Sequence, residues 1–97
     1  MDVEQFRQLA HERGYGEVQN KDYVPNQDGP LHSHDFSVML LVLGGHFTLA
    51  FEDGTTDFRP GEVCELAAEV MHTERAGPAG AKVLLAKLRS DQSPVSS

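Results

Sequence analysis

Cysteine is nearly absent from this sequence. Cys64 stands alone, so no disulfide can form within the chain, and a reducing compartment is the natural setting. Long apolar runs are lacking too. The longest, Phe36 to Leu43, falls far short of the roughly 20 residues a bilayer-spanning helix needs. The N-terminus, Met1-Asp2-Val3-Glu4, has none of the basic-then-apolar pattern of a secretory signal. The expected location is therefore cytoplasmic. Basic residues are scarce: Lys and Arg total 8 against 15 Asp and Glu, a net charge of −7. Those few are scattered along the chain. Nucleic-acid and anionic-membrane surfaces both need a concentrated positive footprint, so neither partner is expected.

The sequence does contain enough apolar residues for one small core. At 97 residues with 39% hydrophobic and 24% charged, it is a single globular domain. A chain this short buries roughly 60–70% of its unfolded surface, which leaves little spare stability. Val3, Phe6, Leu9 and Ala10 recur at helical spacing, predicting one short helix over residues 2–13, capped by Asp2 and stopped at Gly14. From there the pattern changes to short strands separated by turn residues. Strands are expected over 16–24, 36–43, 46–52, 55–58, 62–66, 70–74 and 81–89. Gly44-Gly45, Asp53-Gly54, Pro60-Gly61 and Gly77-Pro78-Ala79-Gly80 are the expected turns and loops. The domain plan is a helix over 1–14, a barrel over 15–90 and a frayed tail over 91–97. Many short strands with Gly and Pro turns describe an all-β sandwich or barrel. In Phe36–Leu43 only Ser37 is polar, so both faces of that strand need cover. The helix would cover part of the outer face. A homodimer burying more than about 1,200 Å² is expected to cover the rest.

The residues with the clearest chemistry are histidines. In His32-Ser33-His34 the alternation of a strand sends both imidazoles to the same face. His72 follows some forty residues later. If its strand packs opposite, three imidazoles converge, enough to hold a divalent metal with positions left open. Counting by twos from His34 puts Phe36 and Val38 on the same inner face. With Leu40 and Val70 they are the expected apolar pocket. Glu74 shares parity with His72 and is a candidate acceptor for an imidazole N–H behind the metal. Cys64 reads as a small core residue, and His46 and His11 as solvated.

These residues resemble a small single-domain cupin, a double-stranded β-helix or jelly-roll barrel. The first cupin motif is matched by His32-Ser33-His34 and Gly45, the second by Pro60-Gly61-Glu62-Val63 and His72. The resemblance spans roughly residues 29–75. Two positions depart from it. The usual Pro-x-Gly reads Ala67-Ala68-Glu69, and Val38, with Met39 beside it, stands where the family carries a metal-binding Glu. The chain thus resembles the three-histidine cupins, among which are iron(II) dioxygenases. That resemblance implies a metal-binding cupin with Fe(II) favoured over Zn, Ni, Cu or Mn. As an enzyme it would be a dioxygenase of a small β-diketone-, enol- or thiol-type substrate. His-Ser-His-Asp-Phe also resembles the sugar-sensing cupin domains of arabinose-type regulators, which implies the alternative of a non-catalytic module binding a small ligand or metal.

Overall fold

The computed structural model describes residues 1–89; the tail expected over 91–97 lies outside the described residues. One helix is followed by five strands: α1 Val3–Glu12, β1 Gln19–Tyr23, β2 Phe36–Phe51, β3 Gly54–Phe58, β4 Val63–Leu66 and β5 Thr73–Arg89. All pairings are antiparallel, in the order β1-β5-β2-β3, with β4 on β2 as well. No helix among the described residues is long and apolar enough to cross a membrane.

The helix starts where its cap allows. Asp2 Oδ1 accepts the Gln5 N–H at 2.8 Å while Gln5 Oε1 accepts the Asp2 N–H at 3.0 Å, a reciprocal cap contributing on the order of 1 kcal/mol. Gly14, at φ +80°, ends it in the left-handed conformation that glycine adopts without steric cost. Phe6 and Ala10 are the residues it buries.

Four of the expected strands fuse into two. Residues 36–43 and 46–52 form the single β2, and 70–74 and 81–89 fall largely within the single β5. Gly44-Gly45 and Gly77–Gly80 are bulges within these strands rather than turns between them. Between the pairs Gly45↔Ala81 and Phe47↔Ala76, residues 77–80 of β5 stand opposite His46 alone. Gly45 (φ +76°) and Gly80 (φ +79°) meet there: a Cβ on Gly45 would lie 2.1 Å from the Gly80 carbonyl oxygen. Only glycine fits. The bulge also shifts the inward parity, from Val38, Leu40 and Val42 before it to Phe47 and Leu49 after it.

Each long strand therefore has two buried faces. The inner face carries Val38, Leu40, Phe47, Leu49, Leu66 and Leu85, with Cys64 among them, and burial pushes the Cys64 thiol up to about 11. The outer face carries Met39, Leu41, Leu84 and Ala86 beneath Phe6 and Ala10 of the helix, with Tyr15 beside them. Met39 and Leu41 are at most 1% exposed. The helix and Tyr15 thus cover Met39 and Leu41, while Leu43 on the same face stays 39% exposed.

Candidate metal centre

His32 and His72 face each other across a two-bond clasp. The His32 N–H donates to the His72 carbonyl at 2.9 Å, and the His72 N–H returns to the His32 carbonyl at 2.8 Å. This clasp fixes the separation of the two histidine-bearing segments. His34 is positioned from both sides. Its carbonyl accepts the Glu69 N–H at 2.7 Å, and its ring stacks on Phe36 at 4.7 Å between centroids. Glu69 has φ +70°, so the segment that departs from the Pro-x-Gly pattern keeps a left-handed residue without glycine. That conformation costs roughly 1–2 kcal/mol.

The three imidazoles converge as the sequence predicts. Ring centroids are 4.5 Å apart for His32–His72, 4.8 Å for His32–His34 and 5.2 Å for His34–His72. Glu74 joins them. Its Oε2 lies 3.1 Å from His72 Nε2, 3.3 Å from His32 Nε2 and 3.8 Å from His34 Nε2. The expectation of a site without a carboxylate is thereby revised. Val38 does occupy the inner face where the family pattern has glutamate, but β5 brings a carboxylate to the cluster from another direction. The signal was the spacing of His72-Thr73-Glu74, which repeats that of His32-Ser33-His34 and sends both donors to one face.

The donor atoms lie within 4.8 Å of one another. Ligands about 2.1 Å from a common metal stand about 3.0–3.4 Å apart in octahedral or tetrahedral geometry, so modest closure brings all four into place. Proton bookkeeping is more decisive. His32 Nδ1 lies 2.6 Å from the Pro30 carbonyl and His72 Nδ1 lies 2.9 Å from the Val70 carbonyl. A carbonyl only accepts, so both Nδ1 atoms carry the proton, and in the neutral rings both Nε2 atoms present lone pairs. Those lone pairs face a carboxylate, which also only accepts. A proton on one Nε2 bridges it to the carboxylate, and a bound cation can take the same place. Two protonated imidazoles 4.5 Å apart would repel each other, whereas one divalent ion satisfies all four donors.

Glu74 is held ready for that role. Burial works against its ionised form, but the Tyr23 hydroxyl (2.8 Å to Oε1), the contact with His72 and the Lys21 charge together hold its carboxyl below the usual range. Burial, reinforced by the neighbouring Glu74, raises the Tyr23 hydroxyl well above its ordinary value. Burial and the two neighbouring imidazoles lower His34. Both shifts favour metal-competent forms: a neutral ring and an ionised carboxylate. Tyr23 had no sequence signal of its own beyond an inward parity in β1.

A cavity of about 360 Å³ opens beside the cluster, walled by Phe36, Val38, Leu40, Leu49, Leu66 and Leu85. Its volume is at the lower end for small-molecule sites, roughly 300–1,000 Å³. Three of the four expected pocket residues line it. Val70 does not; it packs on the inner cluster and faces a surface depression with Phe51 and Met71, while its carbonyl orients His72. No carboxylate or imidazole outside the cluster lines the cavity among the described residues.

Comparison with known proteins agrees with this geometry. The sequence profile of the AraC-like ligand binding domain matches residues 16–89. The chain belongs to that family. It is a small cupin domain, as its structural neighbours show. It is similar to a cupin-2 domain containing protein from Shewanella frigidimarina, at 23% identity and TM-score 0.64, over 76% of this chain and 72% of that one. A structural-genomics protein of unknown function from Rhizobium leguminosarum matches over 92% and 95% of the two chains, at 18% identity and TM-score 0.66. KdgF from Halomonas sp. matches over 84% and 93%, at 19% identity and TM-score 0.59. At these identities the likeness is one of fold. No curated protein is a significant match to the chain.

Proposed function

We propose that this domain holds a divalent transition metal at His32, His34, His72 and Glu74 and presents a small ligand to it in the adjoining cavity. The observation that carries the proposal is the convergence of three imidazoles and one carboxylate, their donor atoms within 4.8 Å of one another, with two Nδ1 atoms bonded to carbonyls so that Nε2 faces the carboxylate. Imidazole donors suit Fe, Ni, Cu or Zn better than Mg or Ca; Fe(II) is favoured, with Mn also compatible. When bound, the ion supplies a Lewis-acidic centre and, if it is iron, a redox-active one. The protein's own contribution is positional. The Val70 and Pro30 carbonyls set the imidazole tautomers, Tyr23 holds Glu74, and Phe36, Val38, Leu40, Leu49, Leu66 and Leu85 give the cavity an apolar wall.

The enzymatic form of this proposal is an Fe(II)-dependent dioxygenase of a small β-diketone-, enol- or thiol-type substrate. Among the described residues no carboxylate or imidazole outside the cluster lines the cavity, which disfavours hydrolysis or isomerisation through a carboxylate or histidine base. The second reading is a non-catalytic ligand- or metal-binding module, favoured by the family match over 16–89. Metal analysis of freshly purified protein should find about one equivalent, lost in His72→Ala; no bound metal at any loading would overturn the proposal. Oxygen uptake across small diketones and thiols after iron loading separates the two readings, since a binding module takes up none. A homodimer stays in the proposal on new ground. Leu31 and Met71, 62% and 48% exposed, border an apolar depression with Ala50 and Phe51. Sedimentation finding only monomer at micromolar concentration removes it.

A further inference from the structure

We propose that the cavity is built for a small organic dianion, one end of which faces the histidine–glutamate cluster while a distal carboxylate is read by Lys21 and Lys87. The chain has only three lysines, Lys21, Lys82 and Lys87, and two of them line this cavity. Their register makes the placement specific. Lys21 pairs with Val83 across β1 and β5, and Lys87 pairs with Val38 across β5 and β2. Val83 and Val38 belong to the inner core, and cross-strand partners share a face. Both lysines, although exposed, therefore occupy positions of inward parity at the rim of the cavity.

Both are also held over the cavity wall. Lys21 Nζ lies 4.9 Å from the Tyr23 ring centroid and Lys87 Nζ 5.0 Å from that of Phe36, so each ammonium group sits over an aromatic ring of the cavity lining. Arg13 pairs with Glu65, and Arg75 with Asp28. Among the described residues neither Lys21 nor Lys87 forms a salt bridge, although the Lys21 charge also acts on Glu74. On a protein of net charge −7, two ammonium groups lining one cavity against the single Glu74 carboxylate form a local field that favours anions. An ammonium offers donors and no acceptor, so the pair suits a carboxylate. The end of the ligand nearest the cluster rests on the metal reading; selection by the lysines does not.

The test compares 2-oxoglutarate with 2-oxopentanoate, which has the same carbon chain and 2-oxo acid end but lacks the distal carboxylate. Calorimetric titrations use the wild type, Lys21→Met, Lys87→Met and the double variant, each both Co(II)-loaded and metal-free. Methionine keeps a stem over each ring and removes the charge. The wild type should prefer 2-oxoglutarate by about tenfold, two partly exposed charge pairs acting together. The double variant should bring the ratio near unity on both Co(II)-loaded and metal-free protein, and added salt should shrink the wild-type preference. A ratio near unity in the wild type, a preference that survives the double substitution, or binding of neither acid would overturn the proposal. Failure of the metal reading looks different. Co(II) would then not be retained through His72, while the ratio measured on metal-free protein would still decide what the lysines do.

Discussion

Replacing Tyr23 by Phe removes one oxygen atom and tests the central geometry. The Tyr23 ring is buried against Phe47 at 5.1 Å between centroids, and phenylalanine keeps that packing. What is lost is the O–H donated to Glu74 Oε1 at 2.8 Å. A hydrogen bond to a charged group contributes about 1.5–3 kcal/mol, and groups that orient metal ligands typically alter metal affinity about 10–100-fold. The second range corresponds to about 1.4–2.7 kcal/mol, so the two estimates agree. Tyr23→Phe should therefore weaken binding of Co(II) or Zn(II) about 10–100-fold in competition with a chromophoric chelator. A double-mutant cycle sharpens the assignment. Once Glu74→Gln has removed the charge, the same Tyr23 substitution should cost much less, because the two residues act as a unit. Metal affinity within about twofold of wild type in Tyr23→Phe, with the protein folded, would refute the idea that Tyr23 holds a metal-binding carboxylate.

Other substitutions test other links. Val38→Glu in a Glu74→Gln background should restore part of the lost metal affinity by returning a carboxylate to the position the family pattern gives it; no recovery would show that Val38 lies too far from the cluster. Gly45→Ala should destabilise the domain by about 2–5 kcal/mol in chemical denaturation, combining a left-handed backbone with a clash against Gly80. An unchanged midpoint would mean the bulge is not as tight as described. Tyrosinate absorbance should be nearly absent at pH 10, where a free tyrosine is half ionised. Burial and the hydrogen bond to Glu65 push Tyr15 up to about 12, and Tyr23 lies higher still. The folded state holds these protons more tightly than the unfolded one. Their stabilisation is therefore complete below pH about 10 and lost as pH rises through about 12, and a tyrosine titrating at its ordinary value would contradict this.

Local chemistry was readable in the sequence wherever one residue decides the outcome. Asp2 marked the helix start, Asp53-Gly54 the hairpin, and the parity of His32 and His34 the side of the sheet they occupy. What escaped depends on contacts between distant segments. Gly44-Gly45 and Gly77–Gly80 have the composition of turns, and only the approach of Gly45 to Gly80 turns them into bulges inside continuous strands. Glu74 showed its parity but not its reach, because the placement of β5 decides whether a carboxylate stands behind an imidazole or beside three of them. Val70 failed in the opposite sense, sharing the parity of His72 while lying outside the cavity wall. The apolar outer face of β2 called for cover, and the sequence does not reveal how much of it α1 and Tyr15 supply.

The clasp between His32 and His72 also gives the site a clock. The segment after β1 is stitched to β5 and its approach by a few backbone bonds: Asn26 to Gly77, Ala76 to Gln27, Gly29 to Glu74, and the two between His32 and His72. Its largest apolar side chain, Leu31, is mostly exposed, so little buried surface resists peeling. Segments of this kind open far more often than the core they lie against. Peeling parts His32 from His72, so amide exchange at these positions and disassembly of the donor cluster share one opening step. Whatever binds across the cluster suppresses that step by a factor of one plus its concentration over its dissociation constant. The amides of Asn26, Gly29 and His32 therefore report occupancy of the cluster whether or not the domain ever turns over a substrate.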